Sequence, residues 1–332
     1  MNYPFLSIVI PVRNEEMHIA RVLEQLVAQD YPKEELEILV IDGRSQDQTR
    51  QIVEEFAHRH APVHLLDNPK ELSSAARNLG AREAKGEIIL YLDGHCRILD
   101  RNLLVNVATL FEKSDADCLG RAQPLIPGDK TLTQAIALAR SSALGHNPAS
   151  FIYSDFQGYI DPTSCGAAYK QEVFQRVGYF DENFDACEDV DFNLRVRKAG
   201  LKCYISPNLK VEYFPRASLS GLFTQMFRYG YGRYKLFRKH GRNFPILAAL
   251  PALYLLLLVM VLMVGFLNSQ FIAFFYLGAL LCALPVSVYS LVLALRNKLR
   301  LFPHLLAVFP IIHFGISLGL WKSLLTGLRG KP

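Results

Sequence analysis

The sequence predicts an α/β domain, built on a mostly parallel mixed sheet flanked by helices and followed by C-terminal transmembrane helices. Three observations carry this reading. Short β-rich apolar runs alternate with helical periodicities through the first hundred residues, as in sheets covered on both faces by crossover helices. All 31 Asp and Glu lie within residues 1–212, which hold 23 Lys and Arg and so carry a net charge of about −8. From residue 213 onward the chain has no acid, and long uncharged stretches begin at 246.

The elements follow in order. Phe5–Val12 is a β-branched and aromatic run that Pro11 closes. Asn14 is the expected N-cap of a helix in which Ile19, Val22, Leu23, Leu26 and Val27 recur at helical spacing. Glu37–Ile41 reads as a second buried strand ending at Asp42-Gly43, Gln48–His60 as a helix, and Val63–Leu66 as a short strand. An Ala-rich helix over Ser73–Ala84 precedes the strand Glu87–Leu92, which delivers Asp93 to the carboxyl edge of the sheet, where open α/β folds bind ligands. Beyond Asp100 the spacing predicts a helix over Asn102–Lys113 and an edge strand over Cys118–Pro124. Residues 141–163 are polar and broken by Gly and Pro, the expected mobile loop over a site. Gly166–Tyr169 reads as a strand, Lys170–Val177 as a short helix, and Val190–Ala199 as a helix at whose N-terminus Glu188, Asp189 and Asp191 cluster, where the helix dipole would stabilise them. Leu219–His240 predicts an amphipathic helix or helix pair leading to the membrane.

Residues 246–267 carry no charge and span roughly 33 Å as a helix, enough to cross a bilayer. Residues 271–295 repeat the pattern, so a hairpin turning at Asn268-Ser269-Gln270 is expected. Its flanks, Lys235, Arg238, Lys239 and Arg242 on one side and Arg296, Lys298 and Arg300 on the other, place both ends in the cytoplasm. The stretch 302–325, with Pro303, His304, Pro310 and His313 and then Arg329 and Lys331, reads as a third crossing or as an interfacial or re-entrant segment. The expected organisation is a cytoplasmic domain over 1–215, an amphipathic basic juxtamembrane segment over 216–245, and a membrane domain over 246–325. The basic segment suits anionic headgroups or a pyrophosphate. Met1–Tyr3 runs straight into the first strand, so no signal peptide is expected. The six cysteines form no C-x-x-C pair and are expected to be reduced and structural.

Asp93 and His95 stand two residues apart across a glycine, a spacing that can converge on one divalent cation. The imidazole tilts that preference from Mg²⁺ toward Mn²⁺. A second acidic cluster, Glu188, Asp189 and Asp191, offers a carboxylate for proton abstraction. No G-x-G-x-x-G follows the first strand, which disfavours a dinucleotide fold. The acidic balance of the soluble part disfavours a nucleic-acid partner.

SIVIPVRNEE, a strand ending in Asp42, AARNLGAREAKGEIILYLDGH and CEDVDFNLRVRKAG, in this order, resemble the family 2 glycosyltransferases over about residues 5–240. The membrane tail resembles the succinoglycan-type glucosyltransferases and related bacterial polysaccharide enzymes. The resemblance implies a GT-A fold, a nucleotide-sugar donor, a divalent metal (Mn²⁺ or Mg²⁺) and inversion at the anomeric carbon. Asp93 and His95 take the place of the family's D-x-D metal motif, with His for the second Asp. Asp189 takes the place of the catalytic base, Glu188 is expected to orient the acceptor, and Asp191 to pair with Arg195. The resemblance puts the nucleoside at Pro11, Arg13, Glu15 and Asp42, where Asp42 would accept the uracil imide and Glu15 would hold the ribose. Here the usual second Asp is Gly43. Arg77 and Asn78 resemble the pair near the uridine and diphosphate. Gln225-Met226-Phe227-Arg228-Tyr229 resembles the Gln-x-x-Arg-Trp motif of membrane polysaccharide synthases, with Tyr229 for Trp. Tyr229 would stack on an acceptor sugar and Arg228 would face the departing diphosphate.

The expected activity is inverting, metal-dependent transfer of one sugar at a time from a UDP-hexose to a polyprenyl-diphosphate-linked saccharide. The expected setting is a multi-pass protein of the cell membrane with its catalytic domain in the cytoplasm. Two rivals stay open: a polyprenyl-phosphate monosaccharide synthase, and a non-catalytic membrane scaffold with a degenerate glycosyltransferase domain.

Overall fold

The computed structural model describes residues 3–147, 150–241 and 250–329. It divides into two compact units, one formed by residues 1–125 and 148–214 and the other by 126–147 and 215–332.

In chain order the elements are β1 (Leu6–Val12), α1 (Ile19–Val27), β2 (Leu36–Asp42), α2 (Thr49–Arg59), β3 (Val63–Asp67), α3 (Ser73–Glu83), β4 (Ile88–Tyr91), β5 (Cys96–Arg97), α4 (Leu103–Lys113) and β6 (Cys118–Gly120). After α5 (Thr131–Arg140), which belongs to the second unit, come β7 (Gly158–Ile160), β8 (Gly166–Lys170), α6 (Gln171–Val177), α7 (Glu188–Lys198), β9 (Cys203–Ile205) and β10 (Glu212–Tyr213). The second unit continues with α8 (Leu219–His240), α9 (Leu250–Leu267), α10 (Ile272–Arg296) and α11 (Phe302–Arg329).

The first unit is built on an eight-stranded sheet in the order β3-β2-β1-β4-β8-β6-β9-β7. The strands β3, β2, β1 and β4 run parallel, β8 runs against β4 and β6, and β6 pairs parallel with β9. β5 and β10 form a separate antiparallel pair. Alternation along β1 splits the core: Leu6, Ile8 and Ile10 pack on one face with α1, α2 and α4, while Val9 joins α3, α6 and α7 on the other. A fully buried aliphatic side chain of this kind stabilises the fold by about 1.5–3 kcal/mol. The Ala-rich α3 lies close against the sheet. A Cβ at Gly80 would stand 2.3 Å from Val9 Cγ1, so glycine alone permits this approach.

Several expectations change here. β6 is an interior strand between β8 and β9, not an edge; its neighbours come from later in the chain. The acidic cluster makes the first turn of α7, where the helix dipole favours negative charge. Asn14 does not cap α1, whose N-cap is His18. Instead Asn14 adopts a left-handed conformation (φ 55°) and its Oδ1 accepts from the Gln46 N–H at 2.8 Å, tying together the loops that leave β1 and β2. The segment 141–163, of which 148 and 149 lie outside the described residues, contains the edge strand β7.

In the second unit Leu219–His240 is one continuous helix, started by Ser218 Oγ accepting from the Gly221 N–H at 3.1 Å. It packs along α11 through glycines: a Cβ at Gly230 would fall 2.0 Å from Ile316 O, and one at Gly319 the same distance from Phe227 O. Ala135, Ile136 and Ala139 of α5 complete a core with Leu222, Leu305, Val308 and Phe309. The helices long and apolar enough to cross a membrane are Ile272–Arg296 and Leu299–Gly327, so the third apolar stretch forms a full-length helix despite Pro310. The first stretch supplies the shorter apolar helix Pro251–Leu267. Its expected start at 246–249, Arg242 and Lys331 lie outside the described residues.

Candidate active site

The chain leaves β1 toward β2 and β3 on one side, while β4 leads to β8 and β6 on the other. Between β1 and β4 the connections diverge, and this switch point is where ligand crevices open in such sheets. The loops beyond the two strands meet there. A Cβ at Gly94 would sit 2.9 Å from Val12 Cγ1 and 3.1 Å from Glu15 Cγ, so the glycine lets the β4 loop approach. As a result His95 Nδ1 lies 2.8 Å from Glu15 Oε1. An imidazole that donates from Nδ1 to a carboxylate keeps its lone pair on Nε2. Among the described residues that Nε2 is buried without a hydrogen-bond partner. Tyr213 of β10 packs edge-on against the ring at 4.6 Å between centroids.

Beside this pair, α3 presents Arg77. Its Nη2 is 3.5 Å from Asp93 Oδ1, and its Nε is 3.5 Å from Glu188 Oε1 and 3.4 Å from Ser73 Oγ. The guanidinium also lies over the rings of Tyr91 and Phe180, which fix its plane. Burial opposes its charge, but Asp93, Glu188 and Asp189 outweigh that cost and hold Arg77 protonated beyond the usual range. Cys187, in a left-handed conformation (φ 66°), turns the chain into α7 and aims Glu188 inward while Asp189 stays exposed. Burial first, and then Asp189, pushes the Glu188 carboxyl upward, against the pull of Arg77. Asp191 is fully buried and pairs with Arg195 at 3.1 Å, as expected.

The remaining expected residues differ in what they do. Pro11 lies near the end of β1, in register with Ile41. Arg13 is half-exposed and pairs with Glu71. Asp42 is buried at the end of β2 and accepts from Ser45 Oγ at 2.5 Å, with Arg50 at 3.9 Å. Asn78 is also buried. Its amide donates to Phe180 O and Glu182 Oε1 and accepts from the Phe180 N–H at 2.8 Å, so both its donors and its acceptor fasten the loop before α7. In the second unit Gln225 accepts from Arg140 Nη1 at 2.8 Å, and Arg140 lies over the Tyr229 ring. Arg228 stands on the same helix. His146, near Arg140 and Arg233, is held neutral: burial, then the two cations, lower it to about 4.

Sequence reasoning missed Ser73, Tyr213 and Arg121. Arg121 follows β6 at the same carboxyl edge of the sheet as Asp93, a position concealed by the edge-strand reading.

The profile of glycosyl transferase family 2 matches residues 7–178, slightly more than half of the chain. The chain belongs to glycosyl transferase family 2. This glycosyltransferase is 31% identical over 335 residues to the succinoglycan biosynthesis protein ExoA of Rhizobium meliloti (strain 1021), covering 96% of this chain and 94% of that protein. It is 29% identical over 329 residues to a dolichyl N-acetyl-alpha-D-glucosaminyl phosphate 3-beta-D-2,3-diacetamido-2,3-dideoxy-beta-D-glucuronosyltransferase of Methanococcus voltae, covering 97% of this chain and 98% of that protein. In fold it is similar to the mannosyltransferase PcManGT from Pyrobaculum calidifontis, solved with GDP-Man and Mn²⁺. The TM-score is 0.62 at 20% identity, over 98% of this chain and 88% of that one. The first unit of the glycosyltransferase thus carries a GT-A-like sheet.

The residues of the glycosyltransferase fit a divalent metal. Among the described residues no three His, Cys, Asp or Glu side chains converge on one point. His95 offers a buried Nε2 lone pair whose ring is oriented through Nδ1 by a carboxylate, the usual arrangement of a metal-bound imidazole. Asp93 is partly exposed and offers a hard carboxylate oxygen. Ions such as Mg²⁺ take one or two carboxylates, with substrate phosphates and water completing the shell.

Proposed function

We propose that the glycosyltransferase transfers a sugar from a nucleotide-sugar, read as a UDP-hexose, to a lipid-linked saccharide with inversion at the anomeric carbon. The observation that carries this is Arg77, shared by Asp93 and Glu188. The residue group suited to a leaving diphosphate and the group suited to an incoming hydroxyl therefore lie within reach of one guanidinium. That is the arrangement a direct displacement needs.

Asp189, exposed beside Glu188, takes the proton from the acceptor hydroxyl as the anomeric carbon is attacked. Glu188, with its carboxyl pushed up by burial and held by Arg77 and Ser73, orients that hydroxyl. Arg77 is a fixed cation next to the departing diphosphate, where preorganised charge lowers the barrier. Pro11, Arg13, Glu15 and Asp42 shape the nucleoside end, and Asn78 holds the loop that brings α7 into place. A divalent cation held by Asp93 and His95 would supply Lewis-acid stabilisation of the diphosphate.

For the acceptor, the proposal assigns Gln225, Arg228 and Tyr229 on α8. The Methanococcus voltae relative is named for a lipid-linked sugar phosphate acceptor, and ExoA for polysaccharide biosynthesis. These names favour a saccharide-bearing lipid over a bare lipid phosphate. The exposed apolar faces of α9 and α10, with Met260, Phe266, Phe274, Leu280 and Leu284, suit lipid tails. The proposed setting is therefore the cell membrane, crossed more than once, with the catalytic unit cytoplasmic. Incubating the full chain in detergent with UDP-sugars, Mn²⁺ and polyprenyl-diphosphate saccharides tests the reading. The expected product carries one added sugar of inverted configuration. A product with one sugar on a single lipid phosphate would favour the monosaccharide synthase instead, and no transfer from any donor would favour the scaffold.

A further inference from the structure

Arg121 is 4% exposed, and among the described residues its Nε and Nη1 are buried without a hydrogen-bond partner. A guanidinium is always charged, and leaving one buried without a counter-ion is strongly unfavourable. Arginines that serve only the fold do not look like this. Arg195 in the same unit spends its nitrogens on Asp191, Val177 O and Tyr179 O. The groups in electrostatic reach of Arg121 include Cys96, Cys165, Asp93, Arg77 and Tyr213. Of these only Asp93 is a carboxylate, and it is already shared with Arg77. Among the described residues a buried cation thus stands at the carboxyl end of β6, in reach of Asp93, without an anion of its own.

We propose that Arg121 is a donor-binding residue whose guanidinium takes an oxyanion of the nucleotide-sugar, and thereby helps determine which donors are accepted. The inference rests on the nucleotide-sugar reading above. The oxyanion has two sources: the diphosphate, or a carboxylate on the transferred sugar. The glucuronosyl relative makes the second a concrete arm of the test.

The test is calorimetric binding of UDP, UDP-glucose and UDP-glucuronate, with Mn²⁺, to the full chain in detergent. Wild type, Arg121→Met and Arg121→Lys are compared, with the ligand-free melting temperature of each. Arg121→Met is expected to melt no lower than wild type, because it removes a buried unpaired charge. It should bind about 10- to 100-fold more weakly, the range of a lost charge-assisted hydrogen bond. Weakening of all three ligands assigns the oxyanion to the diphosphate, and weakening of UDP-glucuronate alone assigns it to the sugar. Arg121→Lys keeps the charge without the fork and is expected to weaken the same ligands. Wild-type affinities in either folded variant overturn the inference while the donor reading stands. A wild-type chain that binds none of the three overturns the donor reading itself, and the inference with it.

Discussion

Arg77 Nε lies 3.5 Å from Glu188 Oε1, across 111 residues of sequence. The same guanidinium reaches Asp93, so one side chain of α3 draws together the end of a strand and the start of a helix that the sequence separates widely. It can do so because Gly80 and the alanines beside it let α3 settle onto β1.

Glu15 orients His95. Replacing it (Glu15→Ala) removes the acceptor for Nδ1–H and frees the ring to turn. In the presence of UDP, Mn²⁺ affinity is expected to fall about 10- to 100-fold, as for other lost partners of metal-bound imidazoles. Titration by Mn²⁺ electron paramagnetic resonance checks this, and an unchanged affinity would remove His95 from the ligand set.

Asn78→Ala leaves the Phe180 N–H and carbonyl without their buried partner, at a cost of about 1–3 kcal/mol. The melting temperature should drop. UDP affinity, measured where the variant is folded, should stay close to wild type, whereas a direct nucleotide contact would lose affinity in proportion.

Gly319→Leu places a side chain where Phe227 O already stands. Forcing α8 away from α11 is expected to destabilise the chain by roughly 1–3 kcal/mol, read as a lower melting temperature in detergent. Retention of the wild-type melting point would show that the two helices do not approach this closely.

His146 gives a pH dependence. Its folded value is about 4 against an ordinary 6.5, so between these pH values the unfolded chain binds more protons than the folded one. Stability is therefore fully present above pH 6.5 and declines as the pH falls toward 4. His146→Gln should flatten that part of the melting-temperature profile, and an identical profile would argue against the buried neutral imidazole.

Much of the first unit was legible because its strands announce themselves locally. Leu6–Val12, Leu36–Asp42 and Ile88–Tyr91 are apolar runs buried on both faces, and their expected ends fall within a residue or so of the observed ones. Elements whose identity depends on distant partners were not. β6 is short, and its place in the sheet interior is set by β8 and β9, which arrive more than forty residues later. α5 was not read as a helix, since its buried face is mostly alanine and its partners lie on α8 and α11. In the site, Asp93, His95, Glu188 and Asp189 were visible as carboxylates and an imidazole at element ends. The Arg77 bridge, the Glu15–His95 pair and the buried Arg121 were not, because each depends on segments distant in sequence that only the folded sheet brings together.

Asp189 is proposed to deprotonate the acceptor hydroxyl next to Glu188, which Arg77 links to Asp93. The measurement is Asp189→Asn, assayed for turnover and for nucleotide-sugar affinity in the same preparation. Turnover is expected to fall about 10²- to 10⁴-fold while donor affinity stays near wild type. Wild-type turnover in that variant, or a loss of donor binding that accounts for the whole loss of rate, would contradict the account.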